Sequence, residues 1–321
     1  MSFAEICGQE PAIRLLKGQM KQERLANTYL FIGPPGIGKW TLGMTLAKAL
    51  QCEKPKLGDA CGECRGCQQV VSGSHPDVMI VSSGAESDQI RIEQIRALMN
   101  WMALTAYGNC PKVGLVRDAD QLTQEAAHAC LKMLEEPPEK SLIVLTARGL
   151  HRLPQTLVSR CHVVRCVPQG IQQTASFLRE REGLDAQAAL RLATLSGGRL
   201  GRALDFHRNQ RLEAKNRLVD QLLAGWRRKS VEIPLGTEPA AEVEEAIEWL
   251  AAWWRDQMIL QLDGDRSWLI HQDRLEDLRK EKGIVPLEIL LGRVEKSYKV
   301  QEAVQMNASP RIGLGALLSQ D

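Results

Sequence analysis

Five short apolar runs punctuate the first half of the chain, at residues 29–32, 78–81, 113–116, 142–145 and 163–167. Each is rich in β-branched or large apolar side chains, the signature of strands buried on both faces. Between them, residues 38–51, 90–101 and 124–135 have the spacing of helices. Strands alternating with helices predict a five-stranded parallel sheet covered on both sides. The pattern changes after Pro168. Residues 172–182, 186–195 and 199–206 read as three short helices, punctuated by Gly183 and by Gly197-Gly198. From His207 onward every segment reads as helix, at 209–224, 240–262, 268–281 and 286–305. The pattern therefore predicts an α/β domain over 1–168, a small helical lid over 169–206 and an all-helical domain over 207–321. Trp249, Trp253, Trp254 and Trp268 fall in the last of these, where apolar spacing predicts burial in a core or interface.

Composition narrows the class without naming a function. The 321 residues are 44% hydrophobic and 25% charged, as in an ordinary globular protein. A net charge of +2 leaves any nucleic-acid surface to be local. No apolar run is long enough to span a bilayer, and the N-terminus lacks the pattern of a signal peptide. Nine cysteines, an odd number, then point to reduced thiols and metal ligands in a cytoplasmic protein.

Gly33-Pro-Pro-Gly-Ile-Gly-Lys39 follows a predicted strand and opens a predicted helix. In that context backbone N–H groups and the helix N-terminus cradle phosphate, with Gly33, Gly36, Gly38 and Lys39 as the binding residues. The next position should be a hydroxyl that ligates Mg²⁺. It is Trp40. Thr41 comes one residue late, turned about 100° around the helix, and completes a degenerate loop. The strand at 113–116 should end in a carboxylate that supports the metal, yet it ends in Arg117-Asp118. These departures predict a site without hydrolysis and leave ATP or ADP binding open.

Cys52, Cys61, Cys64 and Cys67 lie within one short insert after the phosphate loop's helix. Four thiolates at this spacing suit tetrahedral Zn²⁺ in a closed, structural site. Gly58, Gly62 and Gly66 predict a flexible loop wrapped around the ion.

The motifs together resemble AAA+ clamp-loader subunits. The resemblance rests on Gly8-Gln9-Glu10, on Asn27-Thr-Tyr-Leu-Phe-Ile-Gly33 leading into the phosphate loop, and on the zinc insert. It rests equally on Leu131-Lys-Met-Leu-Glu-Glu-Pro-Pro138, Ser159-Arg-Cys161 and Asn307-Ala-Ser-Pro-Arg311 with its following helix. It implies a subunit of the DNA polymerase III assembly in a five-membered ring, working in DNA replication with gamma/tau and delta subunits, the sliding clamp and primed DNA. Arg160 would be a trans-acting arginine finger for a neighbour's ATP, and Thr146 would occupy the sensor-one position. Gly201 stands where the hydrolysing subunits have a sensor arginine, with Arg199 and Arg202 beside it expected as a solvated pair. The departures at 40, 117 and 201 favour the non-hydrolysing member, with no catalysis by the isolated chain. The competing readings are a gamma/tau-like ATPase and a non-replicative AAA+ interaction module.

Overall fold

The computed structural model describes residues 2–56, 58–84, 88–227, 240–306 and 308–319. Asn307 of the closing motif lies outside them. The chain forms two compact units, Met1–Gln169 with Arg199–Gly201, and Gly170–Gly198 with Arg202–Asp321.

The first unit contains α1 (Glu10–Lys21), β1 (Thr28–Ile32), α2 (Lys39–Leu50), α3 (Arg65–Ser72), β2 (Val78–Val81) and α4 (Ile92–Met102). It continues through β3 (Lys112–Val116), α5 (Gln124–Glu135), β4 (Ser141–Ala147), α6 (Gln155–Val158) and β5 (His162–Arg165). The sheet is parallel throughout, in the order β2-β3-β4-β1-β5. Successive β1 side chains explain the unbroken apolar runs. Tyr29 and Phe31 pack with Leu16, Leu42 and Leu46 on one face. Leu30 and Ile32 pack with Ile95, Leu98 and Leu157 on the other. β1 is an interior strand, flanked by β4 and β5, so its carboxyl end opens between two neighbouring strand ends.

Three helices of this unit go beyond the sequence expectation, α1, α3 and the short α6. α1 was not anticipated, although Pro11 in its first turn is a helix-start signal. The cysteine insert over 52–67 is not a loop throughout, because its end enters α3, capped by the Cys64 sulfur accepting from the Cys67 N–H.

The second unit holds α7 (Ile171–Glu182), α8 (Ala186–Leu195), α9 (Leu200–Arg208) beyond its first turn, and α10 (Leu212–Arg227). α11 (Ala240–Gln261), α12 (Leu275–Glu281), α13 (Leu287–Gln305) and α14 (Pro310–Leu318) complete it. Trp249, Trp253 and Trp254 on α11 are buried in its core as expected. Trp268 is 61% exposed and is not a core residue. The helix expected over 268–281 is broken into two 3-10 turns followed by α12. The cause is Asp256, buried on α11, whose carboxylate accepts from the Ile270 and His271 N–H groups and from His271 Nδ1. Those donors are committed to a side chain and cannot enter a helical ladder. Arg202 is likewise not solvated. Its side chain is 10% exposed and pairs with Glu245 at 3.0 Å and Glu248 at 2.5 Å, over the Trp249 ring. Among the described residues no helix is long and apolar enough to cross a membrane.

Candidate functional site

The phosphate loop leaves β1 with the Gly33 N–H bonded to the Ala147 carbonyl at 3.2 Å. Gly33 runs so near β5 that a Cβ there would lie 2.5 Å from the Cys166 carbonyl oxygen. Gly38 caps α2 at φ 101°, a left-handed conformation that glycine adopts without strain. Gly33, Gly36, Gly38 and Lys39 therefore come together as one loop. Lys39 folds back into that loop, its Nζ donating to the carbonyls of Gly33 at 2.7 Å and Pro34 at 3.0 Å. Burial pushes its pKa down, and the Asp118 and Asp120 carboxylates pull it partly back. Gln9 braces the loop from the other side, donating to the Val167 carbonyl at 2.8 Å and the Ile37 carbonyl at 3.3 Å.

Trp40, half-buried at the start of α2, carries the Arg117 guanidinium 5.5 Å from its ring centroid. The two departures from ATPase chemistry are thus one contact. Arg117 also approaches Asp118 at 3.6 Å. Asp118 takes a left-handed turn, and its N–H donates to Thr146 Oγ1 at 2.9 Å. Thr146 is buried at the end of β4 and fixes the Asp118 turn, so its hydroxyl already has a structural task. Asp120 accepts from the Arg148 N–H at 3.1 Å. Thr41 is half-buried on α2, one position past the place where a metal ligand is needed.

Gly201 closes over the loop. Its N–H donates to the Gly36 carbonyl at 2.8 Å, and a Cβ at this position would lie 2.8 Å from that oxygen. A sensor side chain is sterically excluded here. The Gly33, Pro34 and Gly36 carbonyls are thus engaged by Lys39 and Gly201. The loop retains a phosphate-binding outline with its cation turned inward.

The four cysteines of the insert converge, with all their sulfurs within 4.8 Å of one another. Cys61 and Cys67 are 3.9 Å apart, as are Cys52 and Cys64. A tetrahedral ion at a Zn–S distance of 2.3 Å would hold its ligands about 3.8 Å apart, so the donor set could hold a metal. N–H groups of Cys61, Cys64 and Cys67 point at the sulfurs of Cys52, Cys61 and Cys64. Backbone donors at Glu63 and Cys64 lower the Cys61 thiol to about 6, while burial pushes Cys67 up to about 12. Gly66 brings α3 against the end of α2, since a Cβ there would meet the Gln51 carbonyl oxygen at 2.2 Å. Asp59 ties the insert to the N-terminus by accepting from the Phe3 and Ala4 N–H groups, and Lys17 sits 3.3 Å away.

Arg160 occupies the short turn between α6 and β5, away from the phosphate loop in sequence and in sheet position. Its Nη2 pairs with Glu135 Oε1 at 2.6 Å, and its Nη1 donates to the Thr156 carbonyl at 2.8 Å. The side chain remains 35% exposed. Cys161 packs against the core beside Leu157, with burial pushing its thiol up to about 12, outside the range of a nucleophile at neutral pH. Sequence reasoning left Gln9 and Glu135 without roles. Both lie in motifs already noted, but their partners are brought to them only by the sheet.

A family model described as DNA polymerase III, delta subunit, matches residues 8–169. The DNA polymerase III delta-prime subunit of Pseudomonas aeruginosa is 32% identical over 269 residues, covering 79% of this chain and 77% of that protein. The delta-prime subunit of Bacillus subtilis is 28% identical over 290 residues, covering 87% of this chain and 86% of that protein. The tau subunit of Bacillus subtilis is 31% identical over 159 residues, covering 50% of this chain and 28% of its own length.

Proposed function

Because the chain belongs to the DNA polymerase III delta-prime family of AAA+ clamp-loader subunits, we propose that it is the non-hydrolysing member of the loader ring. In this reading it works in the cytoplasm beside gamma/tau and delta subunits, and contributes to loading the sliding clamp on primed DNA. Residues 169–206 act as the lid and 207–321 as the collar through which the ring assembles.

The contact between Trp40 and Arg117 carries the non-hydrolysing reading. Phosphoryl transfer needs a hydroxyl and a carboxylate to hold Mg²⁺. An indole in the first place offers no oxygen ligand, and a guanidinium in the second repels the cation. Whatever nucleotide the loop admits, the chain lacks the groups to activate it.

Arg160 is the residue that contributes chemistry, as an arginine finger at a neighbouring gamma/tau site. Its exposure and its station on a short turn support that role. A guanidinium can pair with the γ-phosphate of the neighbour's ATP and stabilise charge in the transition state. Exchange of Glu135 for phosphate would move Arg160 from its resting partner to its working one. Zinc, held by Cys52, Cys61, Cys64 and Cys67, serves a structural role, because four thiolates leave no open coordination position.

The test is ATP hydrolysis by the isolated chain and by a reconstituted loader, with and without Arg160→Ala. The isolated chain should be inactive, and the variant loader should assemble but turn over more slowly. Wild-type turnover by that loader would remove the finger. Robust hydrolysis by the isolated chain, lost on Lys39→Ala, would overturn the non-hydrolysing assignment.

A further inference from the structure

In the second unit, α10, α11, α13 and the end of α14 border a pocket of about 340 Å³, with Trp226, Trp254, Arg293, Lys296 and Leu317 on its walls. The Arg293 guanidinium lies 4.1 Å from the Trp226 ring centroid and 5.8 Å from that of Trp254. Two donors here are unsatisfied. Arg293 Nη1 and Trp254 Nε1 are both buried, and neither has a hydrogen-bond partner among the described residues. Trp254 itself is only 1% exposed. Burial pushes the Arg293 guanidinium down from its ordinary pKa, and no carboxylate among the described residues counters that push.

Other ionic clusters of this unit are internally matched. Lys215 has Asp273, Arg202 has Glu245 and Glu248, and Arg274 has Asp220 and Asp277. Arg293 is held between aromatic rings instead. Buried donors without acceptors weaken a folded chain, so such groups need an explanation. An acceptor supplied from outside would provide one.

We infer that this pocket is a binding site for a small carboxylate carried on a flat, apolar body. A carboxylate presents two coplanar acceptor oxygens, suited to a guanidinium and to a second N–H donor. A flat body would find aromatic faces to pack against. The volume is of the size that small ligands occupy. Inorganic phosphate is a poorer match, since its strongly hydrated oxygens would have to shed water against indole walls.

The test uses the full chain with three probes, benzoate, benzamide and inorganic phosphate, followed by calorimetric titration and thermal melting. Benzoate should bind at one site and raise the melting temperature. Benzamide, which keeps the ring and loses the charge, should bind at least about tenfold more weakly. Arg293→Met should still fold, because it keeps an unbranched apolar stem and removes a half-buried cation with no acidic partner among the described residues, and should weaken benzoate about tenfold or more. Trp254→Phe keeps an aromatic wall, removes the N–H and should also weaken it. No benzoate binding, equal binding of benzamide, preferential binding of phosphate, or undiminished binding by Arg293→Met would each overturn the assignment. If Arg293→Met does not fold, the benzoate and benzamide contrast and the Trp254→Phe titration decide the matter.

Discussion

The Arg117 guanidinium stacks over the Trp40 ring, 5.5 Å from its centroid. A residue after the phosphate loop and a residue after β3 thus meet in a cation–π contact, which in the proposed reading stands where a metal site would be. Each substitution makes the other tolerable, because the guanidinium finds an electron-rich face where a carboxylate would have faced an ion. Trp40→Thr alone leaves a cation beside the metal position, and Arg117→Asp alone leaves the indole across it. Only the double variant should gain Mg²⁺-dependent strengthening of ATP binding, measured by titration with a fluorescent nucleotide. Equal gains in the two single variants would show that the contact is not the barrier.

Glu135→Gln removes the resting partner of Arg160 and leaves the guanidinium intact. Partly exposed ion pairs contribute at most about 1 kcal/mol, so the melting temperature should barely move. Loader ATPase should stay at or above the wild-type rate, whereas Arg160→Ala should lower it. A Glu135→Gln loader as slow as the Arg160→Ala loader would mean that the pair serves to position the turn.

Gly66→Ala should be costly for a single methyl group. The Cβ would lie 2.2 Å from the Gln51 carbonyl oxygen, a backbone atom that cannot rotate away. Overpacking of this kind costs about 1–3 kcal/mol, to be read from denaturant unfolding. Elemental analysis should find one zinc per wild-type chain and a loss of metal in Cys67→Ser. Wild-type stability of Gly66→Ala would contradict the close approach of α3 to α2.

His271 sets a pH dependence for the second unit. It is fully buried against Trp249, Trp253 and Asp256, with Lys215 and Asp273 nearby. Burial lowers its pKa below the ordinary 6.5, and the Asp256 hydrogen bond opposes that shift. Below 6.5 the unfolded chain therefore binds a proton that the folded chain resists, so the contribution is intact above 6.5 and lost as pH falls beneath it. The urea midpoint should decline from pH 7 toward pH 5, and less so in His271→Phe. A flat midpoint over that interval would contradict the assignment.

The α/β half of the molecule was legible because its signals are local. Residues 29–32 and 142–145 are apolar without interruption since both faces of β1 and β4 are covered, and the phosphate loop and the cysteine spacing are contiguous or nearly so. α1 could have been read from Pro11. The helix expected across 268–281 could not have been rejected, because the acceptor that breaks it is Asp256 on another helix. Arg202 and Trp268 exchange their expected environments for the same kind of reason, as charge pairing and aromatic stacking depend on neighbours remote in sequence.

The residues themselves determined that this chain has a glycine-rich loop ending in Lys39 and followed by Trp40, and four cysteines spaced for a metal. Backbone geometry and donor chemistry follow directly from residue type over short spans. Tertiary structure alone decided that Trp40 meets Arg117, that Gly201 seals against Gly36 and that Arg160 rests on Glu135. Each of those pairs is separated by many residues and joined only when the sheet and its helices pack, so no local pattern encodes it.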